Sequence, residues 1–590
     1  MNKRLKIISI VTIMMSIIAI MAISVYIVYF APNNTIVQAF DEGKLNLVIG
    51  DKIIDDGRPV IKNQEILLPL DIIKEHVDPY IYLDEKLKKV IVTTNDKVIR
   101  MNLNSPEALI NNKPVNLKNP AIEENKVVYV PLYFLDDFYS IKVNYLKDKN
   151  VIIIDRKGTS IKAAEPVSEK AVIRKGESIK FPIYKKFDMQ EELQNKMTVF
   201  GDSGEWLKVR SQDGIIGFIQ KKYVKVTNQQ LDAAKDTDKA KDTDSARGLW
   251  KPQHGKINLV WDAIYKTNTK GWVDEDRIQG LDVVSPTWFE VKDGKGTMVN
   301  RASLPYVEWA HKNNYKVWAH LSNNLGGPNN TGVFLNNTDA REIVINKVLE
   351  YSAQYRLDGI NIDFEDINLR DKDVLTQFVR ELSPLLKEKG LVVSMDITPV
   401  SNNENWSLCY DRKVLGETVD YIMLMAYDQH WAESPEAGSV AQQSWVENSV
   451  KRTLDFIPKE KLLLGLPYYT RVWVTESGKR LRSVATSMGY AKSLIKENNA
   501  QVRWDEESGQ FYAEYNKDNG SNNKIWLENE ESINLKSSLV HKYGLAGVAG
   551  WRKNFEVSEV WNVLNKNLKV LDSYEAWQSQ NKEKKYVYKD

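Results

Sequence analysis

The sequence predicts a multidomain chain whose largest part is a (β/α)8 barrel with a small α+β insertion. A β-rich domain, a small β-barrel and an N-terminal transmembrane helix precede it. Three observations lead there. From about Gly248 onward, eight short apolar runs alternate with amphipathic stretches, and alternating strand and helix implies a parallel sheet closed into a barrel. An uncharged apolar run fills residues 7–30. Between them lie short β-branched runs punctuated by Pro, Gly and Asn.

Composition narrows the class. The chain has 590 residues, 27% of them charged, and a net charge of +2. That balance indicates neither nucleic acid nor a strongly acidic partner. Sixteen Trp and 27 Tyr supply faces for sugar rings or for large cores. The single cysteine, Cys409, rules out an intrachain disulfide.

Taken in order, residues 1–6 carry Lys3, Arg4 and Lys6 and read as a cytoplasmic N-terminus. Residues 7–30 are long enough to cross a bilayer. We expect an uncleaved anchor with everything after Phe30 outside the cell; a cleaved signal peptide, with a weak cleavage site at Ala22-Ile23-Ser24, is the alternative. Residues 40–156 contain a duplication. Ile66-Leu67-Leu68-Pro69-Leu70 precedes a short helix from Asp71, and Val128-Tyr129-Val130-Pro131-Leu132 precedes another from Tyr133. Each copy closes on a β-branched strand, Val90–Thr94 and Val151–Ile154. Residues 166–227 read as short strands, including Trp206-Leu207-Lys208-Val209-Arg210 and Ile215–Ile219. Residues 228–247 repeat Lys-Asp-Thr-Asp and form a flexible linker of about 25 Å reach.

In the barrel, residues 248–567, the expected strands are 257–261, 281–285, 316–321, 359–364, 392–397, 421–426, 462–466 and 546–550. An insertion over 474–543, with a hairpin near 502–504 and 511–515, walls a cleft. Residues 568–590 read as a polar tail.

The run Leu357-Asp358-Gly359-Ile360-Asn361-Ile362-Asp363-Phe364-Glu365 carries the chemistry. Alternation puts Asn361, Asp363 and Glu365 on one face, roughly 6.5 Å apart in succession. Acids on an apolar strand are costly to bury without a purpose. The purpose expected is a raised pKa on the last carboxyl, so that it donates a proton near neutral pH. Strands end on this mouth with Met425-Ala426-Tyr427-Asp428, with Gly550-Trp551 and, through the seventh, with Arg471.

The Asp-Gly-x-x-x-Asp-x-Glu pattern resembles family 18 glycoside hydrolases, over residues 248–567. The spore-cortex and germination branch is closest, on Ser285-Pro286-Thr287-Trp288, Asn361 and Lys542–Val548. The resemblance implies a substrate-assisted retaining mechanism. Glu365 would be the general acid and base, and Asp363 would orient the 2-acetamido group and stabilise the oxazolinium ion. Tyr427 would bond the acetamido oxygen. Asn361, Asp428, Met425, Trp551, Arg471 and Trp288 would bind substrate. Met425 and Trp551 could equally be core, and Arg471 could pair with a structural acid. Asn361 stands where many relatives carry Asp, and Leu321-Ser322-Asn323-Asn324 replaces the frequent Ser-x-Gly-Gly. His430 reads as a rim residue. No metal or cofactor is expected, since zinc, phosphate-loop and dinucleotide motifs are missing from the sequence.

Residues 40–156 resemble the domain named after the N-terminal region of copper amine oxidases, without clustered His ligands. Residues 166–227 resemble bacterial SH3 domains, which implies contact with the cell wall. The expected function is hydrolysis of β-linked N-acetylglucosamine glycans, peptidoglycan foremost. Chitin oligosaccharides are the alternative substrate, and a non-catalytic glycan-binding protein the alternative class.

Overall fold

The computed structural model describes residues 3–55, 57–158, 160–190, 195–230, 248–267, 269–273, 275–323 and 326–588. Met1 and Asn2 of the N-terminal segment, residues 231–247 of the expected linker and Asn324 lie outside them.

Eight parallel strands close into a barrel. They are β1 (Ile257–Asp262), β2 (Val283–Pro286), β3 (Lys316–Asn323), β4 (Gly359–Asp363), β5 (Val392–Ile397), β6 (Tyr421–Leu424), β7 (Leu462–Pro467) and β8 (Gly547–Trp551). Each pairs with the next, and β8 returns to β1 with Ala549 opposite Leu259. The pleat sorts their side chains. Leu259 and Trp261 point inward with Trp318, Tyr421 and Met423, whereas Val260 packs outward under the helices. Gly547 is required at the closure: a Cβ there would lie 2.0 Å from the Ile257 carbonyl oxygen. Trp250 plugs the barrel floor, its ring edge-on to Trp318 at 5.6 Å, with its carbonyl accepting from the Tyr421 hydroxyl.

Between β7 and β8 stands a five-stranded sheet with the helix Met488–Glu497, and the expected hairpin is present, with Trp504 opposite Phe511. The insertion is shorter than residues 474–543, however. The helix Glu530–Tyr543 packs on β7 and β8 and belongs to the barrel. Nor is 568–590 simply a tail. It forms the helix Tyr574–Asn581 with Trp577 buried, and Tyr586 stacks on Trp504 at 3.8 Å. The aromatic residues in this polar stretch supply the anchors.

Upstream, the two copies in 40–156 meet about a shared sheet, with Leu68 opposite Val130, each followed by a helix, Leu70–His76 and Leu132–Tyr139. This domain docks directly on two barrel helices, α1 (Thr338–Gln354) and α2 (Lys372–Glu388). Ile91 and Val98 join the barrel's own core. Glu381 on α2 takes Arg341 from α1 at 2.9 Å and Arg100 from the upstream domain at 3.2 Å, all three buried. The barrel is therefore held by this contact, whatever the path of the linker.

Residues 160–190 and 195–230 contribute a seven-stranded sheet. Arg210 ties it to the upstream domain through Asp155 at 2.6 Å. Its edge also takes up the segment after the apolar helix: Asn33, Thr35 and Val37 bond Ile179 and Ile183 through the backbone, and Lys180 caps the carbonyls of Ile27 and Ala31. Among the described residues, one helix is long and apolar enough to cross a membrane, Ile7–Phe30, with mean hydropathy 2.6.

Candidate active site

The C-terminal ends of the strands open on a cavity of about 160 Å³. Trp261, His320, Asp363, Glu365, Asp396, Trp406, Met425, Tyr427, Asp428 and Trp551 line it.

Local structure aims Glu365. Its backbone N–H donates to Asn323 Oδ1 at 2.9 Å, and Asn323 Nδ2 donates back to its carbonyl at 2.8 Å. Asn323 thus clamps the acid between β3 and β4, at the site where the sequence departs from Ser-x-Gly-Gly. The Tyr410 hydroxyl holds the Phe364 carbonyl at 2.8 Å. Asp366 turns the chain away with a φ of 51°. Asp358, at the other end of the motif, has a structural role: it accepts from the Val317 N–H at 2.9 Å and Lys316 at 2.7 Å, pinning β3 to β4.

Burial pushes the Glu365 carboxyl well above the usual carboxylate range, and the neighbouring Asp363, Asp428 and Asp366 push it further. Asp363 faces the cavity with Oδ2 2.9 Å from His320 Nε2. Tyr427 completes the wall, edge-on to Tyr469 at 6.2 Å. Its hydroxyl is held protonated, chiefly by burial and then by Asp396. Trp551 packs on Trp261, with ring centres 6.2 Å apart. Asp428 also lines the cavity and accepts from the Tyr469 hydroxyl at 2.6 Å and from Arg471 at 3.3 Å. Met425 is buried at the wall.

Three sequence-derived site residues stand elsewhere. Asn361 is wholly buried beneath the cavity. It accepts from Trp261 Nε1 at 2.8 Å and donates to Asp396 at 2.7 Å, so it braces the floor and does not touch the opening. Trp288 is core, 0% exposed and edge-on to Tyr306 at 5.2 Å. The chain turns into a short strand after β2 and takes the ring inward. Arg471 reaches the site only through Asp428, the pairing left open by the sequence. His430 bonds the Ser439 carbonyl and does not line the cavity.

The sequence reading missed Trp261, His320, Asp396 and Trp406. His320 and Asp396 each interrupt an apolar strand near its C-terminal end, the same signal that revealed Asp363. Trp406, 40% exposed, sits in the π-helical turn Glu404–Leu408, fixed by Thr398, Asn403 and Arg412. Among the described residues, His320, Asp363 and Asp396 form a group of metal-capable side chains, with one donor atom of each within 4.8 Å of the others.

Residues 261–555, half of the 590, match the sequence model of the family described as "Glycosyl hydrolases family 18". Residues 47–154 match the "Copper amine oxidase N-terminal domain". An uncharacterized glycosylase, YvbX, of Bacillus subtilis is 28% identical over 46% of this chain and 81% of its own length. The cortical fragment-lytic enzyme of the same organism is 24% identical over 40% of this chain and 56% of its own length. The chain thus spans little more than half of that second relative. The crystal structure of the Bacillus megaterium spore cortex-lytic enzyme SleL aligns over 54% of this chain and 76% of that one, at 20% identity and a TM-score of 0.48.

Proposed function

Since the chain belongs to glycosyl hydrolase family 18, we propose that it cleaves beside β-linked N-acetylglucosamine in peptidoglycan by substrate-assisted retaining hydrolysis. The observation that carries this reading is the Glu365 carboxyl, buried beside Asp363 at a tryptophan-lined cavity and pushed well above the usual carboxylate range.

Glu365 gives its proton to the glycosidic oxygen as the bond to the anomeric carbon breaks. The substrate's own acetamido oxygen attacks that carbon, so no protein nucleophile is needed. Asp363 receives the acetamido N–H and offsets the positive charge of the oxazolinium ion. Tyr427 donates its O–H to the acetamido oxygen. Trp551 floors the sugar ring, and Met425 packs beneath it. Arg471 and Tyr469 hold Asp428 at the rim. Glu365, now a carboxylate, takes a proton from the water that opens the ring, which restores the starting state.

Peptidoglycan is favoured over chitin by the placement of the domains. The helix over residues 7–30 anchors the chain in the membrane with the barrel outside, facing the wall. The sheet over 160–230, read as an SH3-like module, contacts wall peptides. The named relative acts on cortical fragments, which supports the same class of glycan.

The test uses the purified full-length protein in detergent. Peptidoglycan sacculi should release new reducing ends, and mass spectrometry should show N-acetylglucosamine at the reducing end of the products. Faster turnover of chitin oligomers than of muropeptides would move the substrate to chitin. Binding without turnover of either glycan would make it a lectin.

A further inference from the structure

One acid at the cavity has no part in the chemistry above. Asp396 lies on β5, 1% exposed, with its carboxyl at the cavity wall. The ionisable groups that face it are His320 from β3, Asp363 and Glu365 from β4 and its extension, and Tyr427 beyond β6.

The hydrogen bonds distinguish its two oxygens. Asn361 Nδ2 donates to Asp396 Oδ1 at 2.7 Å, so that oxygen is an acceptor and a proton on Asp396 belongs on Oδ2. Asn361 is itself fixed by Trp261 Nε1 at 2.8 Å, which orients its amide and leaves Nδ2 as the donor. On the other side, Asp363 Oδ2 is engaged by His320, whereas Asp363 Oδ1 is buried without a hydrogen-bond partner. An unpaired carboxylate oxygen at such a site is costly. One oxygen from each carboxyl and one His320 nitrogen lie within 4.8 Å of one another. Two carboxyls that close in an enclosed site resist joint ionisation.

We propose that Asp396 is a positioning residue for this hydrolase, donating its Oδ2 proton to Asp363 Oδ1 and so fixing Asp363 toward the acetamido group. The inference rests on the reading of Asp363 given above. Burial, and next the neighbouring Asp363, push Asp396 well above the usual carboxylate range, and its Oδ2 is the oxygen left free to carry the proton. His320 and Asp396 then hold one oxygen of Asp363 each.

Asp396→Asn keeps a donor in place of the acid, and Asp396→Ala removes it. With full-length protein and a fluorogenic N-acetylglucosamine disaccharide, the Asn variant should keep kcat within about tenfold of wild type, and the Ala variant should lose about a hundredfold, KM changing little in either. The Asn variant should also move the alkaline limb of kcat/KM to lower pH. In the native chain, ionisation of Asp396 adds a charge that helps Glu365 hold its proton; the variant lacks that charge. A purely structural role would leave the limb in place. Infrared spectroscopy supplies a readout that needs no turnover. At pH 7 the native protein should show carbonyl bands of buried protonated carboxyls, with one lost in Asp396→Asn and another in Glu365→Gln. If the native chain cleaves neither glycan, the infrared result still decides the protonation of Asp396. An unmoved limb, unchanged bands in Asp396→Asn, or full activity in Asp396→Ala would overturn the proposal. So would activity lost in EDTA and restored by zinc, which would make the three side chains a metal site.

Discussion

Glu365 and Glu381 are both enclosed by the barrel, one at its mouth and one on α2 against the upstream domain, and their titrations are driven in opposite directions. Burial raises the pKa of each. At the mouth the next neighbours are acids, Asp363, Asp428 and Asp366, and they add to the rise. On α2 the next neighbours are Arg341 and Arg100, with Gln377 donating at 3.1 Å, and together they outweigh burial. Enclosure alone therefore decides little. The sign of the adjacent charge separates a carboxyl pushed up from one pulled down.

The largest expected effect tests the first half of that contrast. Glu365→Gln keeps the shape and hydrogen-bonding capacity but cannot transfer a proton. It should lower kcat/KM by about 10³–10⁴-fold, or about 4–5 kcal/mol at the transition state. The same variant should be more stable than the native chain at alkaline pH. A carboxyl whose pKa is raised on folding binds more protons in the native than in the unfolded state, so stability falls as pH rises from the unfolded pKa through the folded one. Glutamine removes that loss. Residual activity near the native level would take Glu365 out of the mechanism, and a melting temperature below wild type at pH 9 would contradict the assigned direction of its pKa.

Glu381→Gln probes the other half. It leaves Arg341 and Arg100 buried without a counter-charge and should destabilise the chain by about 3 kcal/mol in urea titrations. The pH response is reversed relative to Glu365. The Glu381 pKa is depressed on folding, so its contribution is present above the unfolded pKa and is lost as pH falls through the folded value. The variant should thus lose its difference from wild type in acid. Its kcat per folded molecule should stay close to native. A large fall in kcat with intact folding would show that the contact between domains shapes the mouth.

The eight strands were legible because each is a short apolar run set between amphipathic helices, and Asp363 and Glu365 because they break such a run at period two. Asp396 and His320 interrupt β5 and β3 in a similar way, yet neither strand carries a pair of acids, and only barrel closure brings them to Asp363. Trp406 lies in a π-helical turn, Glu404–Leu408, capped by Asn403 and braced by Thr398 and Arg412, and nothing in that local pattern tells that the turn reaches the cavity. Arg100 pairs with Glu381 across most of the upstream chain. A docked domain interface of this kind is invisible to a reading that proceeds along the sequence. Asn361 was misplaced for a simpler reason. Alternation fixes the face of a strand but not the depth of a residue within the barrel, and Asn361 lies below the opening.

Trp288 offers the smallest effect and a clean separation of mouth from core. Its ring is fully buried, edge-on to Tyr306, and its Nε1–H has no hydrogen-bond partner. Phenylalanine would relieve the unpaired donor while losing part of the packing, two contributions of opposite sign. Trp288→Phe should therefore cost less than about 1.5 kcal/mol of stability and leave kcat/KM within about twofold of native. A residue that stacked on sugar would behave otherwise: losing the larger ring would raise KM with little change in stability. If Trp288→Phe raises KM tenfold while its urea midpoint stays put, the second strand contributes to the binding surface after all, and the division between a reactive mouth and an inert wall must be redrawn on that side of the barrel.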